Sequence, residues 1–174
     1  MTAKLVLVFA GALALAGCKG SDPTLFPYSA DQVRTILSDA KTTLPRRDGP
    51  GEIKIWANGR SAKSVTLNMK YASWAPLLEC EAVITPVTPK ESRVVADCGK
   101  SVNNDSSAMA RTQDQLRAPM FEEHIAATLN KRPFDRSKVD AKNTAAVFQN
   151  LGGMQREALQ MSEDVRRKAA ESRR

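Results

Sequence analysis

Between Ile53 and Cys98 apolar and polar residues alternate with a period of two, the pattern of strands that bury one face and wet the other. Ile53 and Ile55 flank Lys54, and Val65, Leu67, Met69 and Tyr71 alternate with Thr66, Asn68 and Lys70. Leu78, Cys80, Ala82 and Ile84 share one parity; Val94, Ala96 and Cys98 share another. Four strands are expected. A slip of one residue would turn a strand's whole apolar set to the wrong face, so parity restricts how they pair. Folding the chain about Pro89 sets Ile84 against Val94, Ala82 against Ala96 and Cys80 against Cys98. The connection over residues 72–77 pairs Tyr71 with Leu78 and Met69 with Cys80. A two-residue Asn58-Gly59 turn is the obvious hairpin signal, yet it would leave Val65 and Leu67 on the wrong face. A five-residue loop over 58–62 instead pairs Ile55 with Val65 and Ile53 with Leu67. The fold class expected is α+β: a four-stranded antiparallel meander whose single apolar face is covered by helices.

Helical signals lie on both sides of this block. Ser29 and Gln32 form a capping box, with Tyr28 and Val33 placed as a hydrophobic staple. Val33, Ile36, Leu37 and Ala40 then fall on one face, and Pro45 with the turn at 48–51 closes the element. Beyond Cys98 the stretch 99–107 reads as a polar loop; its Asn104-Asp105-Ser106 sequon is a chance match. Pro119 suits the first turn of a helix running to about Asn130, with Phe121, Ile125 and Leu129 buried and Glu122 and Glu123 as first-turn acids. Arg132-Pro133-Phe134 separates it from a third helix over 141–151, and Gly152-Gly153 breaks or kinks the chain. Residues 154–174 carry six basic and four acidic side chains and form a charged helical tail. Val147, Leu151, Met154, Ala158, Met161 and Val165 keep the 4-3-4-3-4 spacing of a coiled-coil seam. Met154, Met161 and Val165, with Arg166, Arg167 and Lys168, are therefore candidates for partner binding; a solvated helix is the more ordinary reading of such charge.

The first residues have the layout of an export signal. Lys4 precedes an unbroken apolar run over 5–15, too short for a comfortable bilayer span of about 20 residues. Leu15-Ala16-Gly17-Cys18 resembles the lipobox of bacterial lipoproteins at every position. The resemblance covers residues 1–18 and implies cleavage between Gly17 and Cys18, a lipid on the Cys18 sulfur and an acylated new terminus. Lys19 stands where Asp would favour inner-membrane retention in enteric bacteria. The resemblance thus implies the periplasmic face of an outer membrane, where the organism has one. The organisation expected is a signal peptide over 1–17, a lipid-anchored tether over 18–27, an α+β domain over 28–151 and a basic helical tail over 152–174. The resemblance does not extend to residues 28–174.

With Cys18 taken by lipid, two cysteines remain in an oxidising compartment, where disulfides persist. The strand pairing puts them opposite each other, so a Cys80–Cys98 disulfide is expected, worth about 3 kcal/mol in the chain-entropy model. Neither sits in a Cys-x-x-Cys arrangement, and with the single histidine, His124, they give no metal-ligand spacing. A nucleophile elbow and a phosphate-cradling loop are both missing from the sequence, so neither a catalytic set nor a cofactor is expected. The formal charge of +7 is scattered along the chain, which argues against specific nucleic-acid recognition. What remains is a membrane-anchored, non-catalytic binding or structural module that engages an envelope protein or an anionic envelope polymer. The alternative is a carrier of a small apolar ligand held between sheet and helices; an envelope hydrolase ranks last. A lined cavity of several hundred Å³ between the layers would favour the carrier.

Overall fold

A computed structural model describes residues 22–99 and 107–172. Nine elements follow in order: β1 (Leu25–Phe26), α1 (Ala30–Asp39), β2 (Lys41–Pro45), β3 (Glu52–Arg60), β4 (Ser64–Lys70), β5 (Leu77–Thr88), β6 (Glu91–Asp97), α2 (Ala108–Leu129) and α3 (Arg136–Glu171). The class is α+β, but the sheet has six antiparallel strands, not four, curled into a half-barrel in the order β1-β6-β5-β4-β3-β2.

The two unforeseen strands are its edges. Leu25 and Phe26, expected within the tether, pair with Arg93 and Ser92. Lys41–Pro45, expected to end the first helix, pairs along β3 from Trp56 to Glu52. Proline is tolerated there because an edge strand has one side without a ladder partner. Short edges carrying Lys41 and Pro45 also discourage pairing with a foreign strand.

Parity holds across the meander, while two of the three expected registers are corrected. β5 and β6 pair as expected, Ile84 with Val94 and Ala82 with Ala96. In β3–β4, however, Ile55 faces Met69 and Ala57 faces Leu67, four residues away from the expected partners. The loop is tighter than supposed: Ser61 Oγ accepts the backbone N–H groups of Lys63 and Ser64, and Ser61 N–H donates to Ser64 O at 2.8 Å. A bulge between Ala57 and Gly59 absorbs the odd residue, which lets a short turn coexist with the right parity. In β4–β5, Met69 faces Leu78 and Leu67 faces Cys80. Tyr71 has left the strand, and Arg46 stacks over its ring at 5.2 Å and over Trp74 at 5.9 Å.

The apolar face holds the core. Ile53, Ile55, Val65, Leu67, Met69, Ala82, Ile84 and Val94 meet Val33 and Leu37 of α1 and Phe121, Ile125 and Leu129 of α2. The capping box of α1 is complete: Gln32 N–H donates to Ser29 Oγ and Ser29 N–H to Gln32 Oε1. α2 begins eleven residues before Pro119, capped by Ser107, and carries the proline inside the helix. Glu122 and Glu123 are therefore not first-turn acids. α3 runs unbroken through Gly152-Gly153 and packs chiefly on α2. A Cβ on Gly153 would lie 2.7 Å from that of Ala108, so this glycine lets two helices touch instead of ending one. Among the described residues, no helix is long and apolar enough to cross a membrane.

Candidate functional site

Cys80 and Cys98 are joined by a disulfide with their Cα atoms 4.0 Å apart, one pair beyond the Glu81–Asp97 rung. It ties β5 to β6 where the chain leaves the sheet. Gly17, Cys18 and Lys19, the sequon at 104–106, most of the loop over 99–107, and Arg173 and Arg174 lie outside the described residues.

His124 is fully buried on α2. Its Nδ1 lies 2.8 Å from Thr42 Oγ1 on β2, and its Nε2 has no hydrogen-bond partner among the described residues. Burial pushes its pKa down to about 4, so the ring is neutral at physiological pH. Apart from the Thr42 hydroxyl, no side chain hydrogen-bonds to it among the described residues. It braces α2 against the edge of the sheet. Nor is there a group of three or more His, Cys, Asp or Glu among the described residues arranged to hold a metal ion.

A cavity of about 440 Å³ lies between the β1–β6 edge and the two long helices. Phe26, Val94, Ala96, Pro119, Ile125 and Ala126 supply its apolar wall. It exists because β1 is so short. Asp22 Oδ1 accepts the Thr24 N–H at 2.9 Å and the Thr24 hydroxyl at 2.6 Å, and Leu25 N–H bonds back to Asp22 O. That turn carries the chain off the sheet, and the last β1–β6 bond is Val94 N–H to Thr24 O. Beyond it β6 borders the cavity, and α2 with the start of α3 forms the roof.

Five charged side chains ring the cavity: Glu122, Glu123, Arg132, Lys138 and Lys142. Glu123 is almost covered; both its oxygens are held by Arg132, one at 2.9 Å, and it also accepts the Asp135 N–H at 2.8 Å. Burial alone would raise its pKa, but Arg132 and that N–H outweigh burial and hold the carboxyl below its usual range. Glu122 pairs with Lys142 at 2.6 Å. These pairs were missed because they join residues 9 and 20 apart across the α2–α3 turn, a distance at which sequence spacing carries no signal.

The tail residues do not converge on this cavity. Met154 is half-buried and its sulfur lies 3.9 Å from the Thr112 hydroxyl. Met161 and Val165 are 68% and 62% exposed, beside an exposed Met109 of α2 in a shallow groove that Lys168 also lines. Arg166 and Arg167 point to solvent, the latter paired with Asp164. No protein-family model, no curated protein and no solved structure matches this chain.

Proposed function

We propose that the chain is an exported lipoprotein, anchored to an envelope membrane through Cys18, whose folded body is a non-catalytic module that binds a small apolar ligand between sheet and helices. The lipobox carries the anchoring half of this reading, and Lys19 favours the periplasmic face of an outer membrane. The cavity carries the other half. Its volume of about 440 Å³ falls in the range of small-molecule sites, and its wall is mostly apolar with a few charged groups at the mouth. A lined space between the layers favours a carrier over a module that only faces a protein partner. The exposed Met161 and Val165 support a second reading, in which the tail docks an envelope protein or an anionic polymer.

Fluorescence titration tests the main reading. The full mature chain carrying Cys18→Ser should bind N-phenyl-1-naphthylamine, with the emission rise saturating at one probe per chain. Ala141→Trp, at an exposed position on the cavity wall, should weaken binding at least about tenfold while leaving the melting curve in place. Equal affinity in that variant would place the probe elsewhere and remove the case for the cavity.

A further inference from the structure

The cavity mouth is not electrically neutral. Three cations and two carboxylates surround it, and each carboxylate already has a cation of its own: Glu123 has Arg132 and Glu122 has Lys142. Lys138 is left over. It lies within electrostatic reach of Glu123 and Asp135, yet makes no ion pair among the described residues. It stands in the first turns of α3, exposed, four residues before Lys142 and on the same helix face. Behind it the wall is Val94, Ala96, Ile125 and Ala126. A ligand that satisfies both regions has an apolar body and one negative end. The volume suits one ligand of drug-like size, which admits a single chain and excludes a two-tailed lipid taken whole.

We infer that the cavity holds a single acyl chain, with its acidic headgroup seated at Lys138 beside Lys142. The head is a carboxylate or a phosphate, as in a fatty acid or an acidic lysolipid. This rests on the proposed reading that the cavity is the ligand site. With Glu123 matched by Arg132 and Glu122 by Lys142, the net charge that a headgroup meets at the mouth is the positive charge of Lys138, which attracts an anion and repels a cation. An amine at the end of the same chain would be repelled by Lys138.

Competition against the bound naphthylamine probe decides the matter, using the full mature chain with Cys18→Ser and decanoate, decyl phosphate, decanol and decylamine as competitors. At low salt either acid should displace the probe at about tenfold lower concentration than decanol, with decylamine weakest. Which acid wins identifies the head. The advantage should shrink at high salt, because the mouth is exposed and its charges are screened. Lys138→Gln should bring both acids level with decanol, and Lys138→Arg should restore the preference; the position is exposed, so both variants fold. Equal displacement by acid and alcohol would overturn the headgroup assignment while leaving an apolar site intact. Failure of the probe itself to bind would sink the underlying reading, and this one with it. A short extended peptide that outcompetes both acids would overturn the assignment in favour of strand addition along the open end of β6.

Discussion

The inner half of the molecule and the outer half of its helical hairpin are held together in opposite ways. Where α1 and the second half of α2 lie on the sheet, large side chains interlock: Phe121, Leu129, Leu37, Ile55 and Leu67 are all at or below 1% exposure. Where the first half of α2 meets α3, contact is made by small residues and polar bonds. Ala108 sits against Gly153, its N–H donates to Glu157 Oε1 at 2.6 Å, and Asn150 donates to Gln115 at 2.7 Å. Beside that contact Met109, Leu159, Met161 and Val165 face outward. Burial of large apolar side chains removes far more area from water than an Ala–Gly contact does, so the inner half should carry most of the stability. The hairpin's outer half is the part free to open locally.

The largest effect expected from a single change tests that contrast at its strong end. Phe121 lies in the middle of the core, against the sheet and α1, and is fully buried. Phe121→Ala should cost about 4 kcal/mol, the range for removing a core aromatic. Urea denaturation should show it as a lower midpoint with an unchanged slope. A loss below about 1 kcal/mol would mean that the core is far looser than its burial implies.

His124 gives the next effect, because it ties α2 to the edge of the sheet at Thr42 while staying uncharged. Its folded pKa of about 4 lies below the ordinary 6.5, so the unfolded chain binds the proton more readily. The neutral ring's contribution is complete above about pH 6.5. It declines as pH falls through that value and is lost by about pH 4, some 3 kcal/mol in all. Protonation gives the ring a second N–H donor, and Nε2 has no acceptor among the described residues. His124→Gln should be less stable at neutral pH yet lack this extra slope between pH 6.5 and 4. Parallel pH profiles for the two proteins, measured by chemical denaturation, would show that the histidine is not buried neutral.

The same contrast explains how much of the molecule is legible in its sequence. Strand parity and the α1 capping box are local signals, and burial of one face enforces them, so Ile84–Val94, the disulfide and the Ser29 cap can be read in advance. Registers two or four residues off preserve parity and are therefore invisible to it; only the Ser61 turn and the departure of Tyr71 fix them. β1 and β2 are too short to show a period. Pro119 and Gly152-Gly153 are read as boundaries because each weakens an isolated helix. Both lie inside helices here, Pro119 buried on the cavity wall and Gly153 against Ala108. The cavity itself joins residues from four separate segments, and nothing short of the fold brings Pro23, Val94, Ile125 and Lys138 together.

The two adjacent glycines of α3 sharpen the comparison at its weak end, because they should respond in opposite directions. Either one lowers helix propensity by about 1 kcal/mol relative to alanine. At Gly152 a new methyl would meet only the end of Arg156, 3.7 Å away, so Gly152→Ala should stabilise the helix by up to about that amount. At Gly153 the methyl would stand 2.7 Å from the Cβ of Ala108, an atom fixed to the backbone of a buried first turn. Relief requires the helices to part, which pulls Glu157 from the Ala108 N–H and uncovers Ala108. The lost contact and strain, about 1–3 kcal/mol, should exceed the propensity gain, leaving a modest net loss. Amide exchange separates the two variants better than a global melt. Gly153→Ala should speed exchange in the first turns of α2 while amides of β4 and β5 keep their protection, and Gly152→Ala should slow exchange in α3 alone. If both substitutions stabilised equally, the hairpin contact at Ala108 would carry no weight, and the outer half of α3 would be a free helix instead of a packed one.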